Sequence, residues 1–248
     1  MLIEKEVFKM SEVKIAVTIE PENKISQTFL HELVKYQTSI DIIELRVDHW
    51  ATPEINDIAN VIDKLYELNL NKKLLVTYRT QSQGGKGDLT FDSYIRLLES
   101  IIEIDHIDMI DVEFEINQQS QYILNLIDQA HKNNIEVILS YHDFQKTPAL
   151  TQLKHLYFKM HQMNPDYLKV AVMPLSKEDV LNLLYALSAT VDTVPQQVIG
   201  IAMSKLGTIS RTAQGLFGGA VSYGCLDNPK APGQIQVETL SAQLKLYQ

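Results

Sequence analysis

The chain has a single cysteine, Cys225, in 248 residues, and that scarcity removes two chemistries at once. No intrachain disulfide can form and no cage of thiolates can hold a metal, so the protein suits a reducing cytoplasm. Cys225 itself reads as a small core residue. Basic residues are also in short supply: 22 Lys and Arg against 31 Asp and Glu leave a net charge of −9. An acidic bulk argues against nucleic acid or an anionic membrane as the main partner. No run reaches the roughly 18 apolar residues of a membrane span. The first residues, with Glu4, Lys5, Glu6 and Lys9 interleaved, do not read as a secretory signal. Linkers, repeats and low-complexity segments are missing too, and no Gly-x-Gly-x-x-Gly follows the first strand signal, which counts against a dinucleotide-binding open sheet.

What is present is alternation. Hydrophobic residues make up 45% of the chain, enough to bury a full core. Short apolar, β-rich runs stand at residues 14–20, 41–47, 73–79, 109–115, 136–142, 167–173, 197–203 and 220–225. Their spacing is roughly the thirty residues that one strand-plus-helix unit needs. Between them, residues 55–70, 91–104, 119–132, 150–163 and 177–189 carry helical periodicity. Two starts carry capping chemistry: Thr52 before Pro53, and Ser176 before Lys177, Glu178 and Asp179. Eight such units predict a single (β/α)8 TIM barrel over residues 13–248, with residues 1–12 as a disordered extension.

The chemistry-bearing residues fall at the ends of these runs. Lys169 is the only charge in Tyr-Leu-Lys-Val-Ala-Val-Met (167–173), and the preceding run ends on His142. An amine beside a general acid/base suggests Schiff-base chemistry. A lysine starts from a pKa of about 10.4 and must be lowered to act near neutrality, which burial and nearby cations both favour; the alternative is a lysine that carries its ammonium to the surface. Glu44 and Arg46 share one face of strand two, Arg79 ends strand three, Glu113 and Glu115 end strand four, and Met203 ends strand seven with Arg211 beyond it. In a barrel these ends form one rim, where active sites are assembled. Asp111, Glu113 and Glu115 share a parity but have no histidine pair beside them, so no metal is expected. Asp48, His49 and Trp50 read as a surface loop. Gly84-Gly85-Lys86-Gly87 reads as a flexible connection rather than a phosphate loop. Residues 224–236 read either as a lid or as a plain surface loop.

These residues resemble the type I 3-dehydroquinate dehydratases, Schiff-base dehydratases of the shikimate pathway. The matching phrases are Glu-Leu-Arg-Val-Asp (44–48), Thr-Tyr-Arg (77–79), His-Asp-Phe (142–144) with Lys-Thr-Pro (146–148), Lys-Val-Ala-Val-Met-Pro (169–174), Met-Ser-Lys-Leu-Gly (203–207), Ile-Ser-Arg (209–211) and Ala-Pro-Gly-Gln (231–234). The resemblance implies an iminium on Lys169 and His142 as general acid/base, with no cofactor and no metal. It also implies that Arg211 clamps the substrate carboxylate, that Glu44, Arg46, Arg79 and Gln234 bind hydroxyls and order the pocket, and that Met203 and Tyr223 form its apolar wall. A homodimer is implied as well. Two positions depart from the family pattern. Gln83 stands where many relatives carry glutamate, which puts acid/base help from that loop in doubt. Lys230 stands where some carry serine, and is a weak candidate for a lid contact. Two other functions remain open: a Schiff-base aldolase on a sugar phosphate held by Gly207, Thr208 and Ser210, and a barrel that only binds a carboxylate ligand.

Overall fold

The computed structural model describes residues 12–115 and 120–247. Eight parallel strands curl into a barrel: β1 Lys14–Ile19, β2 Ile42–Arg46, β3 Lys73–Thr77, β4 Met109–Glu113, β5 Glu136–Asp143, β6 Tyr167–Val172, β7 Gln197–Ala202 and β8 Val221–Cys225. Each predicted run coincides with one of them, β5 continuing one residue past its run. A ninth, two-residue strand, β9 Ile235–Gln236, pairs beside β8 and was not anticipated. Sheet order runs β7-β6-β5-β4-β3-β2-β1-β8-β9, so the first strand lies between the second and the eighth, as a barrel requires and a doubly wound open sheet forbids. The helices are α1 Gln27–Tyr36, α2 Ile55–Glu67, α3 Phe91–Ile102, α4 Ser120–Lys132, α5 Leu150–His161, α6 Lys177–Val191, the short α7 Thr208–Thr212 and α8 Val237–Leu244. No described helix is long and apolar enough to cross a membrane.

Capping held at one helix and failed at another. The Ser176 side chain accepts the Asp179 N–H, and Asp179 returns the bond to the Ser176 N–H, which pins the start of α6. Thr52 caps nothing: its carbonyl accepts the Glu54 N–H at 3.0 Å in a tight turn, and α2 starts at Ile55 behind an extended Glu54. The expected extension over residues 1–12 lies, apart from exposed Glu12, outside the described residues.

One device recurs around the bottom of the barrel. Asp41, Asp108 and Asp166 precede the even strands, and their carboxylates accept the N–H groups of Ile15, Leu74 and Val137 at 2.8, 2.7 and 2.7 Å. Each thereby locks an odd strand to the following even one, and it satisfies a donor that burial would otherwise leave costly. The fourth place is Ala220, which has no carboxylate; its N–H reaches the Val198 carbonyl at 2.8 Å, and no ladder between β7 and β8 follows. Side chains fill the seam instead. Gln214 donates to the Val221 carbonyl and Arg211 to the Tyr223 carbonyl.

The fourfold frame also sets which residues face inward. Counting from those four positions, the even strands present Ile42, Met109, Tyr167 and Val221, an apolar plug, and two residues later Glu44, Asp111, Lys169 and Tyr223. The odd strands present Ala16, Leu75, Ile138 and Ile199, then Thr18, Thr77, Ser140 and Ile201. Layers of four from alternate strands fill such barrels, and here the switch from apolar to polar layers makes the floor of a cavity.

Candidate active site

The cavity at the C-terminal ends of the strands measures about 380 Å³ and is lined by Lys169, His142, Glu44, Arg46, Arg79, Met203, Arg211, Tyr223, Lys230 and Gln234. All ten residues named from the sequence therefore meet in one place. Adjacent strands β5 and β6, paired Ser140 to Lys169 and His142 to Ala171, bring the amine and the imidazole together.

Lys169 is 4% exposed. Its Nζ stands 3.9 Å from Glu44 Oε1, 3.9 Å from Asp111 Oδ2 and 4.1 Å from the centre of the Tyr223 ring, which are the other three members of its layer. None of these is a hydrogen bond. The carboxylates are held by others: Glu44 accepts from the Thr18 and Thr77 hydroxyls at 2.6 and 3.0 Å, and Asp111 from Ser140 at 2.7 Å. The hydroxyl layer thus damps the anions nearest the amine. Burial pulls the Lys169 pKa below its ordinary value against the opposing pull of Glu44 and Asp111, with smaller help from Arg79 and Arg46. Desolvation dominates.

The arginines divide their work. Arg79 is buried against Asp111 and Glu113 at 2.8 and 3.0 Å, which raises its pKa despite its burial, so it orders the pocket and supplies positive field more than a free fork. Arg46 is gripped by Asp48 through Nε and Nη2 at 2.6 and 2.8 Å. Arg211 is different. It is 1% exposed, meets no described carboxylate, and donates only to the Tyr223 and Pro232 carbonyls, both at 3.2 Å. Its Nε is buried without a hydrogen-bond partner, as is the Tyr223 hydroxyl. Burial lowers the Arg211 pKa to about 10, still a cation at neutral pH. A desolvated guanidinium with an unused donor is a site for a carboxylate.

Three sequence expectations are corrected. Asp48 is not surface: it is buried and accepts the Arg79 and Lys86 N–H groups besides gripping Arg46, so it ties the ends of β2 and β3 to the next turn. His49 lines the cavity, and Trp50 is buried with its Nε1 donating to the Pro21 carbonyl. The Gly84–Gly87 segment is no flexible connection. Gly85 and Gly87 donate to the Thr80 and Arg79 carbonyls at 2.8 and 3.0 Å, and a Cβ on Gly85 would collide with the Arg79 carbonyl. Gln83, discounted from the sequence, is 3% exposed and seats His142 through its backbone N–H at 2.9 Å. Its polarity in a run otherwise exposed was too weak a signal to find it.

Residues 224–236 lie across the mouth. The Ser204 N–H donates to the Pro232 carbonyl at 3.0 Å, and Lys230 Nζ meets Glu20 at 3.3 Å. Gln234 Oε1 accepts the Lys230 and Ala231 N–H groups at 2.6 and 3.2 Å, leaving its NH₂ for a ligand. Gly233, at φ +79°, supplies the left-handed turn this path needs. The sugar-phosphate alternative loses its motivation, because the Ser210 hydroxyl is engaged with Ala202 and Gly207, and Thr208 with the Lys205 carbonyl.

A model of the type I 3-dehydroquinase family matches residues 15–248. The chain belongs to the type I 3-dehydroquinase family. It is 56% identical over 241 residues to the 3-dehydroquinate dehydratase of Staphylococcus saprophyticus, covering 96% of this chain and all of that one. The Staphylococcus haemolyticus protein of the same name is 49% identical over 238 residues, covering 96% and 99%. Among solved structures, 3-dehydroquinate dehydratase from Geobacillus kaustophilus superimposes with a TM-score of 0.88 at 28% identity, covering 95% and 91%. The type I enzyme of Clostridium difficile, solved with covalently modified comenic acid, gives 0.86 at 32%, covering 96% and 92%. The cavity volume lies in the range that small-molecule ligands use.

Proposed function

We propose that the chain dehydrates 3-dehydroquinate to 3-dehydroshikimate, in the shikimate pathway and in the cytoplasm, through a Schiff base on Lys169. The observation that carries this reading is an amine at the cavity floor with no hydrogen bond to a described residue, in one cavity with a part-buried imidazole and a guanidinium that meets no described carboxylate. Arg211 would take the substrate carboxylate and so fix the ring. The Lys169 amine attacks the ring ketone and a water leaves, giving a protonated iminium that acidifies the adjacent carbon as an electron sink. His142, kept neutral by burial and by the cations Arg79, Lys169 and Arg46, removes that proton. The C–O bond then breaks, and the imidazolium returns its proton to the departing hydroxyl, which leaves as water. Hydrolysis of the iminium restores the amine, so the net loss is one water. Removal and return by one group on one face make the elimination syn. Glu44, Arg46, Arg79 and Gln234 order the ring hydroxyls; Met203 and Tyr223 wall it, and Lys230, already held by Glu20, closes the mouth.

The test is an assay for the conjugated enone product with 3-dehydroquinate, paired with borohydride reduction. Product should appear with chelator present, and reduction should leave substrate-derived mass on the Lys169 peptide. Turnover without adduct at Lys169 would reject the mechanism. No turnover on 3-dehydroquinate, despite measurable binding of a cyclic carboxylate, would instead favour a binding-only barrel.

The same reading includes a homodimer. The flank of α5 and α6 exposes Phe158, Leu181 and Tyr185, with Lys154 over the Tyr185 ring. The charges of α5 are basic (Lys154, Lys159), while the start of α6, Lys177, Glu178 and Asp179, is acidic by one charge, so a two-fold pairing can set the α5 lysines against those carboxylates around an apolar centre. Sedimentation should give a dimer that Tyr185→Glu disrupts; an unchanged dimer would exclude this flank.

A further inference from the structure

The reaction just described leaves one buried amide beside His142 without a task. Gln83 ends the 3-10 turn Gln81–Gln83 that follows β3. Its Oε1 accepts the His142 N–H at 2.9 Å and lies 3.3 Å from His142 Nδ1, while its Nε2 donates to the Phe114 carbonyl at 3.3 Å. These two backbone partners leave the amide no choice of orientation. An N–H group only donates and a carbonyl only accepts, so the oxygen must face His142; the flipped amide would oppose donor to donor and acceptor to acceptor.

The orientation of the amide decides the histidine. An acceptor oxygen against Nδ1 is satisfied only if Nδ1 carries the ring proton. In a neutral imidazole the lone pair then belongs to Nε2, away from Gln83. The Phe144 ring, near-parallel to the imidazole at 19° and 6.5 Å between centres, flanks it further.

We propose that Gln83 is the positioning residue of His142: its amide holds the imidazole in the Nδ1–H form, so that Nε2 is the atom that takes and returns the proton. This rests on the reading of His142 as the proton-transfer group. It also reverses the doubt attached to a missing carboxylate at this position. A carboxylate would orient the ring and stabilise its charged form; the amide does only the first. The charged groups acting on His142 are Arg79, two residues past β3, Lys169 of β6 and Arg46 of β2, all cations. With a neutral orienter beside them, the base form survives to lower pH. Activity that needs this base is present above its pKa and lost as pH falls through it, so the acid limb of kcat/KM lies below the ordinary histidine value of about 6.5.

Nitrogen-15 NMR of the wild-type chain should show His142 Nδ1 protonated and Nε2 bare. Gln83→Met, of similar length but without an acceptor, should mix the two forms and lower kcat at least about tenfold with little change in KM. Gln83→Glu should restore most of kcat and move the acid limb up by about one unit or more, since it adds an anion beside the ring. A proton on Nε2 in the wild type overturns the proposal, whatever the variants do, and so does unchanged kcat in Gln83→Met. Retained turnover in His142→Ala would instead defeat the reading of His142 itself, which separates the two failures.

Discussion

Lys169→Met lowers kcat/KM on 3-dehydroquinate by about 10⁵-fold or more, yet leaves the chain at least as stable to heat as the parent. The loss of activity follows from removing the amine at the cavity floor, since among the described residues its layer, Glu44, Asp111, Lys169 and Tyr223, holds no other. The stability follows from linkage. The folded pKa of Lys169 is depressed, chiefly by burial, so folding disfavours its charged form. That cost is full below the folded pKa, shrinks as pH rises from there towards the unfolded value, and is gone above the unfolded value. Replacing the amine by an apolar chain of similar length removes the cost at neutral pH, while Glu44 keeps its two threonine hydroxyls and Asp111 keeps Arg79 and Ser140. Thermal unfolding and steady-state rates check both halves. More than a tenth of parental turnover would remove the Schiff base from the mechanism, and a melting temperature several degrees lower would make the amine a net structural anchor.

His142→Ala should lower kcat by about 10⁴-fold while the covalent adduct accumulates. Lys169 is untouched in this variant, so the iminium forms and then waits for a base. Intact-protein mass should rise by one substrate less one water, and borohydride should fix that species without product in solution. The fold is expected to persist, because Gln83 Oε1 is held by the backbone N–H at position 142, which alanine retains. Product formation near the parental rate would pass the proton to another group. Failure to form any adduct would mean that imidazole is needed for imine formation itself.

Much of the architecture was legible in one dimension. The two-residue period of the strands determined which side chains face inward, and therefore that Glu44, Arg46, Arg79, His142 and Lys169 share an interior. All five line one cavity. Strand ends were overrun by one or two residues, because residues such as Tyr78 and Arg79 continue the alternation after the ladder stops. Asp48 looked like a loop residue because the N–H groups that bury it, those of Arg79 and Lys86, lie 31 and 38 residues away. Gly85 looked mobile because glycine marks both flexible segments and tight ones, and only the Arg79 carbonyl behind it distinguishes them.

By itself, then, the sequence determined the alternating elements, the inward parity and the stock of reactive groups, all consequences of local backbone periodicity. The tertiary structure decided which charges neutralise one another: Arg79 is taken by Asp111 and Glu113, Arg46 by Asp48, and Arg211 is left without an anion among the described residues. It also decided that Gln83, 59 residues from His142, orients its ring. These outcomes depend on distances between residues from different strands and loops, and only closure of the sheet and its loops brings such groups within reach of each other.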